Sequence, residues 1–173
     1  AYVPEDRHAR GLIPYLGVGE NLTLSILDRL SKWEIVSRSA RDRVATDLVE
    51  QLGIVTSGLD QRVGQLSGGN QQKVVVGRAL AQHPVVLVVV TPTVGVDVAA
   101  KESLLNVIDA AREGGTAVLL VSDDLEDLRI CTRLLVMVKG RLVKEYHQPP
   151  WDRHELIAAV EGLEPTSVSG DSE

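Results

Sequence analysis

The chain has 173 residues, 44% hydrophobic and 24% charged, with a formal net charge of −6; these are values of an ordinary globular domain with room for a sizeable core. The acidic balance argues against a broad electrostatic grip on nucleic acid or anionic lipid, and no run approaches the roughly 18 apolar residues of a membrane span or reads as a signal peptide. The single cysteine, Cys131, has no partner for an internal disulfide and lies among apolar neighbours, so it reads as a core thiol in a reducing compartment.

The sequence opens on AYVPEDR and its only methionine is Met137, so the expectation is a chain entered partway through a longer polypeptide. Asn21 to Leu30 and Ala40 to Leu52 are predicted to be amphipathic helices, the second with Val44, Leu48 and Leu52 four apart. Next comes QLSGGNQQKVVVGRALAQHP, residues 65–84, where Ser67 can cap a helix that runs to the residue before Pro84. Three apolar runs follow, Val85 to Val90, Ala117 to Val121 and Leu134 to Val138. They lack polar alternation and are predicted to be central parallel strands buried on both faces. Ala99 to Glu113 carries Leu104, Leu105, Ile108 and Ala111 at helical spacing and stops at Gly114-Gly115, a left-handed cap, which makes a βαβ unit. A short crossover helix is predicted over Asp124 to Cys131, and Arg141 to Glu145 pairs with the third run through a KGR turn. In WDRHELIAAV, Asp152 is the N-cap, Glu155 stands three residues on and Trp151 is set to staple onto Leu156.

The segment richest in chemistry is the helix start at Ser67. Two glycines there let the backbone approach a ligand, and the converging N–H groups and the helix dipole attract phosphate. Read alone, SGG also fits a capped helix after a glycine turn. The full string LSGGNQQK, followed one helix and one strand later by TPTVGVDV, resembles the ATP-binding cassette of membrane transporters, specifically the second cassette of ribose, xylose and galactose importers. YVPEDRHARGLIPYLGVGENLTL, AVLLVSDDLEDL and RLLVMVKGRLVKE extend the likeness from residue 2 to about residue 163.

The resemblance implies an α/β fold, a partial ABC ATPase of P-loop NTPase-like type, with a parallel central sheet flanked by helices and a helical subdomain. It implies a partial Q-loop region at 1–19, a helical signature subdomain at 20–83, the remaining α/β core at 84–161 and a disordered tail at 162–173. ATP would be shared with a partner cassette, with Ser67, Gly68 and Gly69 at its γ-phosphate and Asn70 and Gln71 beside it. Asp97, in Gly95-Val96-Asp97, would reach across the cassette interface, or serve as a plain helix N-cap. The implied partners are an N-terminal ATP-binding cassette, a transmembrane sugar permease and a second copy of the fragment, with no nucleic acid. The implied location is cytoplasmic, peripheral on the inner face of the membrane.

The sequence departs from the family where hydrolysis is performed. The strand that should end Asp-Glu-Pro-Thr ends Val90-Thr91-Pro92-Thr93, which removes the magnesium-shell acid and the base, so no Mg²⁺ is expected on this chain. Thr91 either bonds a water or satisfies local backbone. A phosphate-binding loop needs a Gly-Lys pair, and all five lysines follow Ser, Gln, Ala or Val. Glu5 falls near the family's sensing glutamine, and Asp123 takes the switch-histidine position, where an acid would repel phosphate. Asp123 and Asp124 read as a metal pair or as a cap and first-turn acid. His8, His83, His147 and His154 lack zinc spacing and read as surface residues. Because the resemblance sets a strand and a loop before Ala1, the sheet is expected to expose an unpaired edge or a bare apolar face and the fragment to associate.

The reading that follows is a signature-supplying part of a sugar-import ATPase subunit whose own site is degenerate. The alternative is a non-catalytic cassette acting as an interaction or regulatory scaffold, with LSGGN kept for packing. A soluble cassette acting on DNA or ribosomes fits poorly, because the chain lacks a basic stripe.

Overall fold

The computed structural model describes residues 1–33 and 35–162. In chain order the elements are β1 (Tyr2–Val3), α1 (Val18–Thr23), α2 (Leu27–Leu30), β2 (Ser31–Lys32), β3 (Ile35–Val36), α3 (Arg38–Leu52), α4 (Gly68–Leu80), β4 (Val86–Val90), α5 (Val98–Glu113), β5 (Ala117–Val121), β6 (Leu134–Val138), β7 (Arg141–Tyr146) and α6 (Arg153–Glu161). They divide into two units, Ala1–Asp127 and Leu128–Glu173.

The first unit is α/β. Its parallel sheet has the order β1-β4-β5, with Val86 to Val90 opposite Ala117 to Val121, and β4-α5-β5 is the predicted βαβ unit. Val3, Leu87 and Val89 are fully buried on the face that meets α4 and α5. On the other face Tyr2, Val86, Leu119 and Val121 are 55, 50, 52 and 47% exposed. The valine-rich runs therefore bury one face, not both. Such a run records that a face can be covered, not that this chain covers it.

The helical part begins earlier than its apolar pattern suggests and is broken. α1 starts at Val18, and a 3₁₀ turn over Leu24–Ile26 separates it from α2. Thr23 Oγ1 donates to Gly19 O at 2.8 Å and Ser25 Oγ to Arg78 O at 2.7 Å; such hydroxyl bonds compete with the helix ladder. Ala45, Leu48 and Leu52 of α3 are buried, while Val44 is half-buried. α4 stops at Leu80, short of the predicted end, because the residue before Pro84 is excluded from the helical region and His83 instead takes φ 49°. α5 stops at Gly114, and Gly115 takes the left-handed cap at φ 97°.

In the second unit β6 pairs antiparallel with β7 in a two-stranded sheet, so the third apolar run is not a central parallel strand. Leu134 and Val136 are buried while Leu135 and Met137 are exposed. The turn is the predicted one: Lys139 and Gly140 have φ 49° and 77°, the paired positive values of a tight hairpin. The predicted crossover helix shrinks to a 3₁₀ turn, Asp127–Ile130, since the Asp124 carboxylate accepts from Glu126 N and caps a tight turn instead. Cys131 is half-buried, not a core thiol. Asp152 caps α6 through His154 N and Glu155 N, which hold its carboxyl below the usual range. Trp151 Nε1 donates to Leu128 O, and Glu155 pairs with Lys144. Gly162 is the left-handed C-cap, and the rest of the predicted tail lies outside the described residues.

Asn21 ties the α1 end of the first unit together. It is fully buried; its Oδ1 accepts from Ile13 N and Arg78 Nη2, and its Nδ2 donates to the carbonyls of Ile13 and Gly17. Asn21→Ala strands several of these groups without water. It should cost about 2–3 kcal/mol in urea unfolding of this chain with an unchanged m-value.

Candidate functional site

The start of α4 gathers five of the six residues singled out in the sequence. Ser67 occupies the N-cap position and is exposed, but its hydroxyl makes no capping bond; instead its Oγ accepts from Asn70 Nδ2 at 2.8 Å. Asn70 Oδ1 accepts from Val55 N at 2.8 Å, and Gln71 Nε2 donates to Leu66 O at 3.0 Å. Both side chains thus hold the neighbouring loops; Gln71 is buried, and its Oε1 has no partner among the described residues. What remains is the exposed Ser67, the half-buried Gly68 and the buried Gly69, whose N–H groups have no intrahelical partner.

The two glycines have an internal reason to be there. A Cβ on Gly69 would stand 2.5 Å from Ala100 Cβ, and one on Gly68 would stand 3.0 Å from Gly95 O and 3.1 Å from Arg7 Nη2. They admit the chain's own α5 and β4–α5 loop, whatever else they admit. Arg7 Nη1 donates to Val94 O at 2.9 Å and Nη2 to Gly95 O at 3.5 Å, which sets a guanidinium beside the helix start. Asp97 is exposed and is the N-cap of α5, accepting from Ala100 N at 2.9 Å.

The strand ends carry a second polar cluster. Thr91 takes φ 42°; its N–H donates to Val121 O at 2.7 Å, but its buried hydroxyl has no partner among the described residues, so the side chain does not satisfy local backbone. Thr93 Oγ1 and Ser122 Oγ both donate to Asp127 Oδ2 at 2.8 Å. Lys101 Nζ meets Asp124 at 2.5 Å, Glu126 at 3.0 Å and Asp127 at 3.4 Å. Burial works against the Lys101 ammonium, but the bonds to Asp124 and Glu126 and the field of Asp127 outweigh it and hold its pKa above the ordinary lysine value. Asp123 and Glu5 are exposed, as are all four histidines.

Arg7, Lys101 and Asp127 carry this geometry and were not singled out in the sequence. Arg7 lies within the YVPEDR string, the one local signal available. Lys101 and Asp127 share no short motif, since a helix and a strand separate them.

The family model described as ABC transporter matches residues 1–94. A ribose import ATP-binding protein of Rubrobacter xylanophilus is 39% identical over 97% of this chain and 33% of its own length. A ribose import ATP-binding protein of Mesorhizobium japonicum is 43% identical over 92% of this chain and 31% of its own. A xylose import ATP-binding protein of Moorella thermoacetica is 39% identical over 94% and 32%. The chain thus spans about a third of the length of these curated relatives. Among solved structures, the dimeric structure of a bacterial ABC transporter cassette superposes with a TM-score of 0.73 at 24% identity, covering 87% of this chain and 63% of that one, a likeness of fold.

Alanine in place of a helical glycine ordinarily stabilises by up to about 1 kcal/mol. At Gly69 the sign should reverse, because Ala100 has no flexible end to yield. Gly69→Ala is expected to lose a net 1–2 kcal/mol, to order of magnitude, with no nucleotide present, as read by denaturant unfolding.

Proposed function

The chain belongs to the ABC transporter family, and from that membership we propose that it is part of an ATP-binding subunit for carbohydrate import that lends its Ser67–Gln71 helix start to an ATP held by a partner cassette. The observation that carries this reading is the exposed Ser67 hydroxyl at the N-terminus of a 13-residue helix, with the Arg7 guanidinium alongside. Hydroxyl, backbone N–H and guanidinium are all donors, and the helix dipole favours negative charge by roughly 0.3–1 kcal/mol at an exposed site. The donor set fits a terminal phosphate. Ser67 and the amides of Gly68 and Gly69 would hold it, and Arg7 would add positive field.

Bound ATP supplies the phosphoryl group whose hydrolysis drives import. This chain's residues orient that group and do not activate water. At the end of β4, Val90 and Thr91 stand where the family has its two acids; neither can order a hydrated magnesium shell or take a proton at neutral pH, a loss of roughly 10²–10⁴ in rate from acid–base chemistry alone. Hydrolysis is assigned to the partner's site, and Mg²⁺ to the partner's acids. The partner cassette is the N-terminal cassette of the same subunit, and the further partner is a transmembrane sugar permease, which puts the chain on the cytoplasmic face of the membrane. Among the described residues no helix is long and apolar enough to cross that membrane.

A second reading, a scaffold in which LSGGN serves packing, is favoured by the internal bonds of Asn70 and Gln71 and by the close approach of Gly69 to Ala100. Ser67→Asp separates the two. Aspartate caps a helix as well as serine, so stability should hold, while a negative charge at the phosphate should lower partner-dependent ATP hydrolysis about tenfold or more. The assay combines this chain with a complete sugar-importer cassette. Unchanged turnover by a folded Ser67→Asp protein would favour the scaffold.

The open sheet face motivates the proposal that the isolated chain pairs with a second copy. Light scattering should show self-association at high concentration, reduced by Leu119→Lys, which sets a charge on that face, halfway along the edge strand β5 beside Val88. A monomer throughout would remove the second copy from the list of partners.

A further inference from the structure

Asp127 has no exposed surface. An ionised carboxylate tolerates this only where hydrogen bonds and an opposite charge replace its hydration, and here both do. Oδ2 accepts from Thr93 and Ser122; Oδ1 makes no hydrogen bond among the described residues and has only the Lys101 ammonium, with Nζ at 3.4 Å. Thr93 follows β4 and Ser122 follows β5, so a single carboxylate joins the exits of two neighbouring strands. Lys101 comes from the first turn of α5, its side chain is only 14% exposed, and its three donors face three carboxylates. Asp124 and Glu126 reach solvent and could be hydrated instead; Asp127 could not.

We propose that Lys101 and Asp127 are a positioning pair: the ammonium is the built-in counter-ion of the buried Asp127 carboxylate, and together they hold the β4–α5 loop, residues 91–97, and the segment 122–127 as one body. Asp97 at one end of that body and Asp123 in the other segment are both exposed, so their spacing is fixed by the chain itself before any ligand arrives. The pair is independent of the nucleotide reading above and stands or falls on the chain alone.

The test is a cycle of Lys101→Met, Asp127→Asn and the double variant of this chain, followed by thermal unfolding and amide hydrogen exchange. Methionine keeps the packing of the lysine stem, and asparagine can still accept from both hydroxyls without needing a counter-ion. Lys101→Met should lower Tm by on the order of 10 °C, Asp127→Asn by less, and the double variant should melt above Lys101→Met. In Lys101→Met the amides of Thr91, bonded to Val121 O, and of Asp124, bonded to Ser122 Oγ, should lose protection while those within α3 keep theirs. If Lys101→Met does not fold, folding of the double variant is the supporting result. The proposal is overturned by a Lys101→Met protein within about 1 °C of the parent, by a double variant that melts at or below Lys101→Met or fails to fold beside a folded Asp127→Asn, or by exchange that rises uniformly.

Discussion

Helix α4 begins where it does because Gly69 has no side chain, and everything proposed for its N-terminus depends on that contact. With Ala100 only 2.5 Å from where a Cβ would stand, the first turn of α4 is pressed against the first turn of α5. Close packing of this kind fixes position to a fraction of an ångström. It brings the start of LSGGN and the loop that ends in Asp97 into one neighbourhood, and Arg7 closes it from a third segment by taking the carbonyls of Val94 and Gly95. The same two glycines that are proposed to bring the helix end to a ligand also serve a packed interior. That double use is why loss of function at those glycines, taken alone, says little about phosphate.

The first unit is held by a few buried polar groups as well as by its apolar face. Asn21 joins α1 to Arg78 of α4, whose guanidinium is itself pushed down in pKa by burial. Asp127 joins the strand exits. Asn21 is satisfied by several partners, and Asp127 has two hydroxyls on Oδ2 while its Oδ1 makes no hydrogen bond and faces the Lys101 ammonium; buried polar groups held in this way favour one geometry over its neighbours. Valines can slide past one another at modest cost; these groups cannot.

How much of this was legible in the sequence varies with the range of the interaction. Val85 to Val90 and Ala117 to Val121 read as strands, and Ala99 to Glu113 as their crossover, each within one residue of the observed element, because propensity and period are local. Lys139-Gly140 announced the hairpin for the same reason. The direction of Leu134–Val138 was not legible, since an apolar run does not name the strand it pairs with; the open face of the parallel sheet was not written in the valine runs themselves and was expected only from the resemblance, which sets a strand and a loop before Ala1. At the candidate site, the helix start at Ser67 was legible locally, from a serine and two glycines before an apolar-periodic run. The resemblance set Asn70 and Gln71 beside the phosphate; their internal bonds were not legible, because an amide declares its partner only when the fold brings Val55 and Leu66 to it. Lys101 and Asp127 meet only in three dimensions.

Thr91 is a β-branched residue in left-handed backbone, a state that costs on the order of 1–3 kcal/mol and persists only where its surroundings over-determine it. Here they do. Its amide is pinned to the neighbouring strand at Val121, and two residues later Thr93 is pinned to Asp127. The reversal between the two anchors cannot relax without releasing one of them. Strain is thereby trapped at the sheet's rim, and the chain leaves β4 along one heading, as a cord does when it is bent sharply between two fixed posts.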